Sequence, residues 1–268
     1  MIGNAALTGY RFAPYCGAPP SVDGLWGRWN LDPALLACLI AMLAAYVLFS
    51  RSRPRLEPWR RRCFVAGWAL GTAALVSPLC ALSVSLFSAR VGQHMLLTCV
   101  VAPLIALGLP PTARRREPNQ FLAAVAFAAA LWFWHAPGPY AATFDGPAAY
   151  WAMHLTLFGA ALLFWRAVLD APAERMAAAV AASLATGLQM AFLGALITFA
   201  SAPLYAPHAL TAWAWGLTPL ADQQLGGTIM WVPAGLIFVA AILASLAAVL
   251  ARAAREGAGR EDLPDAAR

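Results

Sequence analysis

The stretch 91–109 reads VGQHMLLTCVVAPLIALGL, and beyond Gln93 and His94 it holds no strongly polar side chain until the Pro110-Pro111 link. As a helix rising about 1.5 Å per residue it is about 28 Å long, close to the roughly 30 Å hydrocarbon thickness of a bilayer. It is apolar on all sides and lacks the two-residue alternation of a barrel strand. Lipid offers the backbone no hydrogen-bond partner, so the run must satisfy its own amides as a helix.

Six further runs of the same kind lie on either side. The seven spans fall at about 33–50, 63–82, 90–109, 119–135, 150–169, 177–200 and 227–250. Hydrophobic residues make up 62% of the 268 and charged residues 11%, far from the balance of a soluble domain. The sequence therefore predicts an all-α polytopic membrane helix bundle with seven transmembrane helices. Residues 1–32 read as an extracytoplasmic N-terminal segment, 33–251 as the transmembrane domain, and 252–268 as a disordered cytoplasmic tail. The first twenty residues lack a basic region followed by an apolar one, so no cleavable signal peptide is expected.

Arginine sets the orientation. Six arginines lie in the link 50–62, three at 114–116, two at Arg166 and Arg175, and four in the tail, whereas Arg11, Arg28 and Arg90 fall on the other side. Fifteen against three places the N-terminus outside and the C-terminus in the cytoplasm. The net charge of +6 thus reflects topology and anionic lipid, with no nucleic-acid surface implied.

With that orientation all four histidines fall toward the outer face: His94 heads span three, His135 ends span four, His154 lies one turn into span five, and His208 follows span six. Met95 adjoins His94, Met153 adjoins His154, and Met230 lies near the outer end of span seven. Imidazole, thioether and thiolate together suit monovalent copper, whereas hard cations need oxygen ligands. Each residue also has a plainer reading, the histidines as interfacial side chains and the methionines as packing.

The stretch 218–233, TPLADQQLGGTIMWVP, holds a second constellation. Thr218 and Pro219 suit a helix start. Asp222, Gly226 and Met230 then share one face, with Gln223 and Gly227 beside them, and the glycines invite close approach of another helix. Asp222 is a functional candidate because an acid in a span is costly unless partnered, or it is a helix-start carboxylate favoured by the dipole. The tryptophans, including Trp134, Trp151 and Trp213 outside and Trp59 and Trp165 inside, read as an aromatic belt. Five cysteines contain no C-x-x-C pair. Cys16 and Cys80 share the oxidising side, where a bond between them is chemically allowed. Phosphate-binding, dinucleotide, zinc-protease and serine-hydrolase motifs are missing, so no enzyme is expected.

QHMLLTCVVAPLIALGLP, FWHAPGPY, AMHLTLFGAALLFW, SAPLYAPH and DQQLGGTIMWVP, in this order, resemble the multi-pass CtaG family of assembly factors for caa-type cytochrome c oxidase. An unrelated single-span copper chaperone shares that name, and this chain does not resemble it. The resemblance implies a plasma-membrane protein that matures the terminal oxidase, with oxidase subunits, the lipid bilayer and a copper donor protein as partners and copper as the cargo. It carries His94, His135, His154, Asp222, Gln223 and Gln224 over as the family's polar residues. Where some members have a further histidine, this chain has Arg90.

Three readings follow. The chain is an oxidase assembly factor whose His/Met cluster binds or relays copper, with His94, His135, His154, Met95, Met153, Met230 and Asp222 as candidate ligands. Alternatively it is a scaffold that holds oxidase subunits through Gly226 and Gly227. Or it is a b-type haem redox protein using histidines on adjacent spans. A small-molecule transporter finds little support, because no broken-helix pair with buried charges is evident.

Overall fold

The computed structural model describes residues 12–53, 56–111 and 119–261, so the arginines at 114–116 and the last seven residues lie outside the described part. In chain order the helices are α1 Pro33–Arg51, α2 Pro58–Val76, α3 Leu79–Ser85, α4 Phe87–Leu96, α5 Ala102–Gly108, α6 Gln120–His135, α7 Pro137–Ala142, α8 Pro147–Leu169, α9 Met176–Thr198 and α10 Pro219–Glu261. No strand occurs among the described residues. The protein is an all-helical bundle, as the apolar runs require.

Five helices are long and apolar enough to cross a membrane, and α2 with α3, bent by 49°, makes a sixth if the pair is one span. The remaining expected span, α6, is a shorter apolar helix of 16 residues. At 1.5 Å per residue it is about 24 Å long, and the chain turns into α7 directly after His135.

Helix starts follow local chemistry. Asp32 caps α1, its carboxylate accepting from the amides of Ala34 at 2.7 Å and Leu35 at 3.2 Å, with Pro33 at the first position. Asn119 caps α6, and Thr218 accepts from the Ala221 amide at 3.0 Å ahead of Pro219. The final span begins earlier than the sequence reading placed it, with its apolar window over Pro219–Ala240. The helix itself starts at Pro219, as Thr218 and Pro219 indicate, and α4 and α9 satisfy the side chains of Asp222 and Gln223. The helix continues through Pro233 to Glu261, ten residues into the segment expected as a tail.

The third span is not a uniform helix. Leu97–Val101 forms a π turn between α4 and α5. A widened turn disturbs the local ladder of backbone bonds, and side chains accept that role here. Thr98 Oγ1 donates to the His94 carbonyl at 2.7 Å, and the Trp165 indole donates to the Thr98 carbonyl at 2.8 Å. Trp165 is therefore 1% exposed and stacked on Phe238, which corrects its assignment to the inner aromatic belt. Trp59 and Trp213, by contrast, are exposed.

Helices approach closely at glycine. A side chain at Gly226 would run into Phe87 and Ser88 of α4, and one at Gly227 into Gly194 and Thr198 of α9. These contacts seat the N-terminal part of α10 between α4 and α9.

Candidate functional site

His94, His135 and His154 come from α4, α6 and α8 and meet in the core. The His94 ring centroid lies 5.2 Å from that of His154 and 6.4 Å from that of His135, edge to face in both cases. His94 is 7% exposed and His154 6%. His154 Nδ1 sits 2.9 Å from the Tyr150 carbonyl, and His135 Nδ1 sits 2.7 Å from that of Leu131. A carbonyl only accepts, so the proton is assigned to Nδ1 in both rings and Nε2 keeps its lone pair. The Nε2 atoms of His94 and His154 are buried without a hydrogen-bond partner.

The fold prepares this meeting from several directions. Gln93, next to His94, donates at 2.7 Å to the Ala74 carbonyl of α2 and so fixes the rotation of α4. Tyr205 donates at 2.9 Å to the His135 carbonyl, holding the end of α6. Tyr150 lies against His154, its ring centroid 4.1 Å away. Above Tyr150 comes the N-terminal strap: the Tyr15 ring stacks on it at 4.7 Å, and the sulfurs of Cys16 and Cys80 lie 3.6 and 3.8 Å from its hydroxyl. Cys16 and Cys80 form a disulfide. His154 also borders an apolar cavity of about 440 Å³ between α1, α2 and α8.

The other expected ligands are placed differently. Met95, Met153 and Met230 are buried in the same core cluster. Asp222 is fully buried and engaged: it accepts from the Phe87 amide at 2.7 Å and from the Ser88 amide at 3.1 Å, and also from the Ser88 hydroxyl. It caps α4 from another helix, which explains how a carboxylate is tolerated there. Gln223 donates to the Ile197 carbonyl at 3.2 Å and accepts from the Leu204 amide at 2.6 Å, tying α10 to the end of α9. His208 joins a different group, its Nε2 2.6 Å from the Tyr140 hydroxyl. Burial, and then the charge of Arg90, pushes this loop imidazole down to about 3. Among the described residues no group of three or more His, Cys, Asp or Glu side chains is arranged to hold a metal ion.

Sequence reasoning missed Arg90. At the edge of an apolar run an arginine reads as an interfacial anchor, yet here it is 2% exposed. Its guanidinium carbon lies 5.3, 4.2 and 5.7 Å from the ring centroids of Tyr140, Phe144 and Tyr150. One signal was available in the sequence: Arg90 stands one helical turn before His94, on the same face.

The sequence profile of the family described as cytochrome c oxidase caa3 assembly factor, Caa3_CtaG, matches residues 41–252. No curated protein and no solved structure matches the chain. The profile covers the helices that bring His94, His135, His154, Asp222 and Arg90 into place, and the chain belongs to the Caa3_CtaG family of cytochrome c oxidase assembly factors.

Proposed function

We propose that this protein supports maturation of a caa3-type cytochrome c oxidase by holding monovalent copper between His94 and His154 near the outer membrane face. The observation that carries this reading is the pair of buried, partnerless Nε2 atoms. An imidazole nitrogen with a free lone pair, excluded from water, is a poor core group and a good ligand for a soft cation. A metal about 2 Å from each of two imidazole nitrogens sets the ring centroids no more than about 6 Å apart. The 5.2 Å of the His94–His154 pair fits that limit, and His135 at 6.4 Å is within reach of a small adjustment.

The protein's own contribution is orientation and release. The Tyr150 carbonyl fixes the His154 tautomer, the Gln93 bond fixes the roll of α4, and the strap packs on Tyr150 beside His154. A site with two neutral ligands, completed by weak thioethers, holds copper without the strength of a thiolate set. That suits a cargo passed from a donor protein to oxidase subunits. The seven-span topology with the N-terminus outside belongs to the same proposal. It is supported by the arginine distribution and by a disulfide next to the histidines, since disulfides persist on the oxidising side.

Complementation tests the role in cells. In a strain lacking this gene, plasmid-borne His94→Ala and His154→Ala should restore the protein to the membrane without restoring a copper-loaded oxidase. Full oxidase maturation by the double variant would count against the proposal.

A further inference from the structure

Arg90 is a buried cation without a matching acid. Its Nε and Nη1 atoms have no hydrogen-bond partner, and the Tyr140 hydroxyl is engaged with His208 Nε2. No described carboxylate pairs with it, and Asp222, on the helix that packs against α4, is engaged with Phe87 and Ser88. The rings of Tyr140, Phe144 and Tyr150 offset part of the burial cost. Ring faces attract the cation's charge, but they give the remaining N–H groups no lone pair, and leaving buried charged donors unmet is costly. An acceptor with negative charge would meet those N–H groups.

The surroundings limit its size. Tyr150, one wall of the cage, lies beneath Tyr15 and the Cys16–Cys80 disulfide. Phe144, another wall, is tied to the same strap, where the Ala13 amide donates to the Phe144 carbonyl at 2.7 Å. A guanidinium that is 2% exposed behind this strap is closed to a polypeptide side chain, so an acceptor for it has to be a single small ion. We propose that Arg90, within the cage of Tyr140, Phe144 and Tyr150, binds a small monovalent anion of the halide or carboxylate class. This site is separate from the metal proposal, because it needs only the guanidinium and its rings. When a monovalent cation sits at His94, one turn away, the anion offsets one of the two neighbouring positive charges.

The test uses the full chain, stripped of metal and held in nanodiscs, in a background of gluconate, which is too bulky for the cage. Bromide and formate are the probes. An anion that binds only the folded protein raises Tm as its concentration passes Kd, by about 4 °C or more well above saturation. The rise should saturate in the wild type and vanish in Arg90→Gln, with Arg90→Lys between them. A structure determined in bromide should show anomalous density within about 4 Å of the guanidinium, which decides the matter even if Arg90→Gln fails to fold. A flat wild-type titration, an equal rise in folded Arg90→Gln, or bromide density absent from the cage at saturation would each overturn the proposal. None of these outcomes depends on whether copper binds.

Discussion

Asp222 accepts hydrogen bonds from two amides and a hydroxyl at the start of α4, so changing its charge acts on two helices at once. Bonds to a charged group contribute about 1.5–3 kcal/mol each, and Asp222→Asn should lower unfolding free energy by roughly 2–4 kcal/mol. Chemical unfolding in micelles measures it, and a change under about 0.5 kcal/mol would deny the capping role. His208 supplies a pH dependence. Its imidazole is neutral in the folded protein down to about 3 because burial, and then Arg90, disfavours the charged form. The unfolded chain takes up the proton near 6.5, so stability is complete above that value. It falls as pH drops from about 6.5 toward 3, by up to about 1.4 kcal/mol per pH unit. Tm followed between pH 7 and pH 4 should decline less steeply in His208→Gln than in the wild type. At this scale the common level of His94, His135 and His154 was legible, because each falls near the same end of its apolar run, whereas their convergence and the separate place of His208 were not. The burial of Arg90 and the partners of Asp222 were not legible, because they come from elements far away in the chain: Tyr140, Phe144 and Tyr150 for one, the start of α4 for the other.

Between elements, the two adjacent glycines of α10 serve two different neighbours, Gly226 facing α4 and Gly227 facing α9. The sequence pointed to close approach here, and its extent shows in the atoms that a Cβ would strike. Both faces are occupied within the chain, which removes them as a free surface for the scaffold reading. Gly227→Val should cost at least about 3 kcal/mol, because the backbone of α9 cannot retreat from the added methyls without losing its packing. Gly92→Ala is the matched control: nothing lies within 4 Å of the added carbon, and removing a helical glycine should stabilise by about 0.5–1 kcal/mol. Paired thermal unfolding of the two variants checks both signs. The π turn at Leu97–Val101 had one signal in the sequence, Pro103, which has no amide to donate to the Cys99 carbonyl inside that turn. It follows from long-range bonds such as that from Trp165 to Thr98. The turn also changes which residues share a face after His94, because a regular 3.6-residue period does not carry across it.

Taken as a whole molecule, the chain closes its histidine end with a covalent strap and leaves the other end to arginines. The Arg60 guanidinium bonds the Leu107 and Leu109 carbonyls at 2.9 and 2.8 Å. Arg166 bonds those of Ala106 and Pro110 and pairs with Asp170 at 2.9 Å. The disulfide closes a separation of 64 residues, for which loop-closure entropy gives about 4 kcal/mol. Cys16→Ser with Cys80→Ser should therefore lower Tm markedly, and reductant should affect the wild type but not the double variant. Equal Tm values for the two proteins would show that the strap is held by its aromatic contacts alone. The all-helical membrane architecture and the approximate place of each helix were legible from apolar run length. The bend between α2 and α3 and the short reach of α6 were not, because each depends on packing against neighbours. The central claim, that His94 and His154 hold monovalent copper, is tested most directly on the purified full-length protein loaded with Cu(I) under anaerobic conditions. X-ray absorption at the copper edge should show one copper per chain with nitrogen ligands from two imidazoles, lost in His94→Ala and in His154→Ala. No retained copper, or copper held unchanged in both variants, would contradict it.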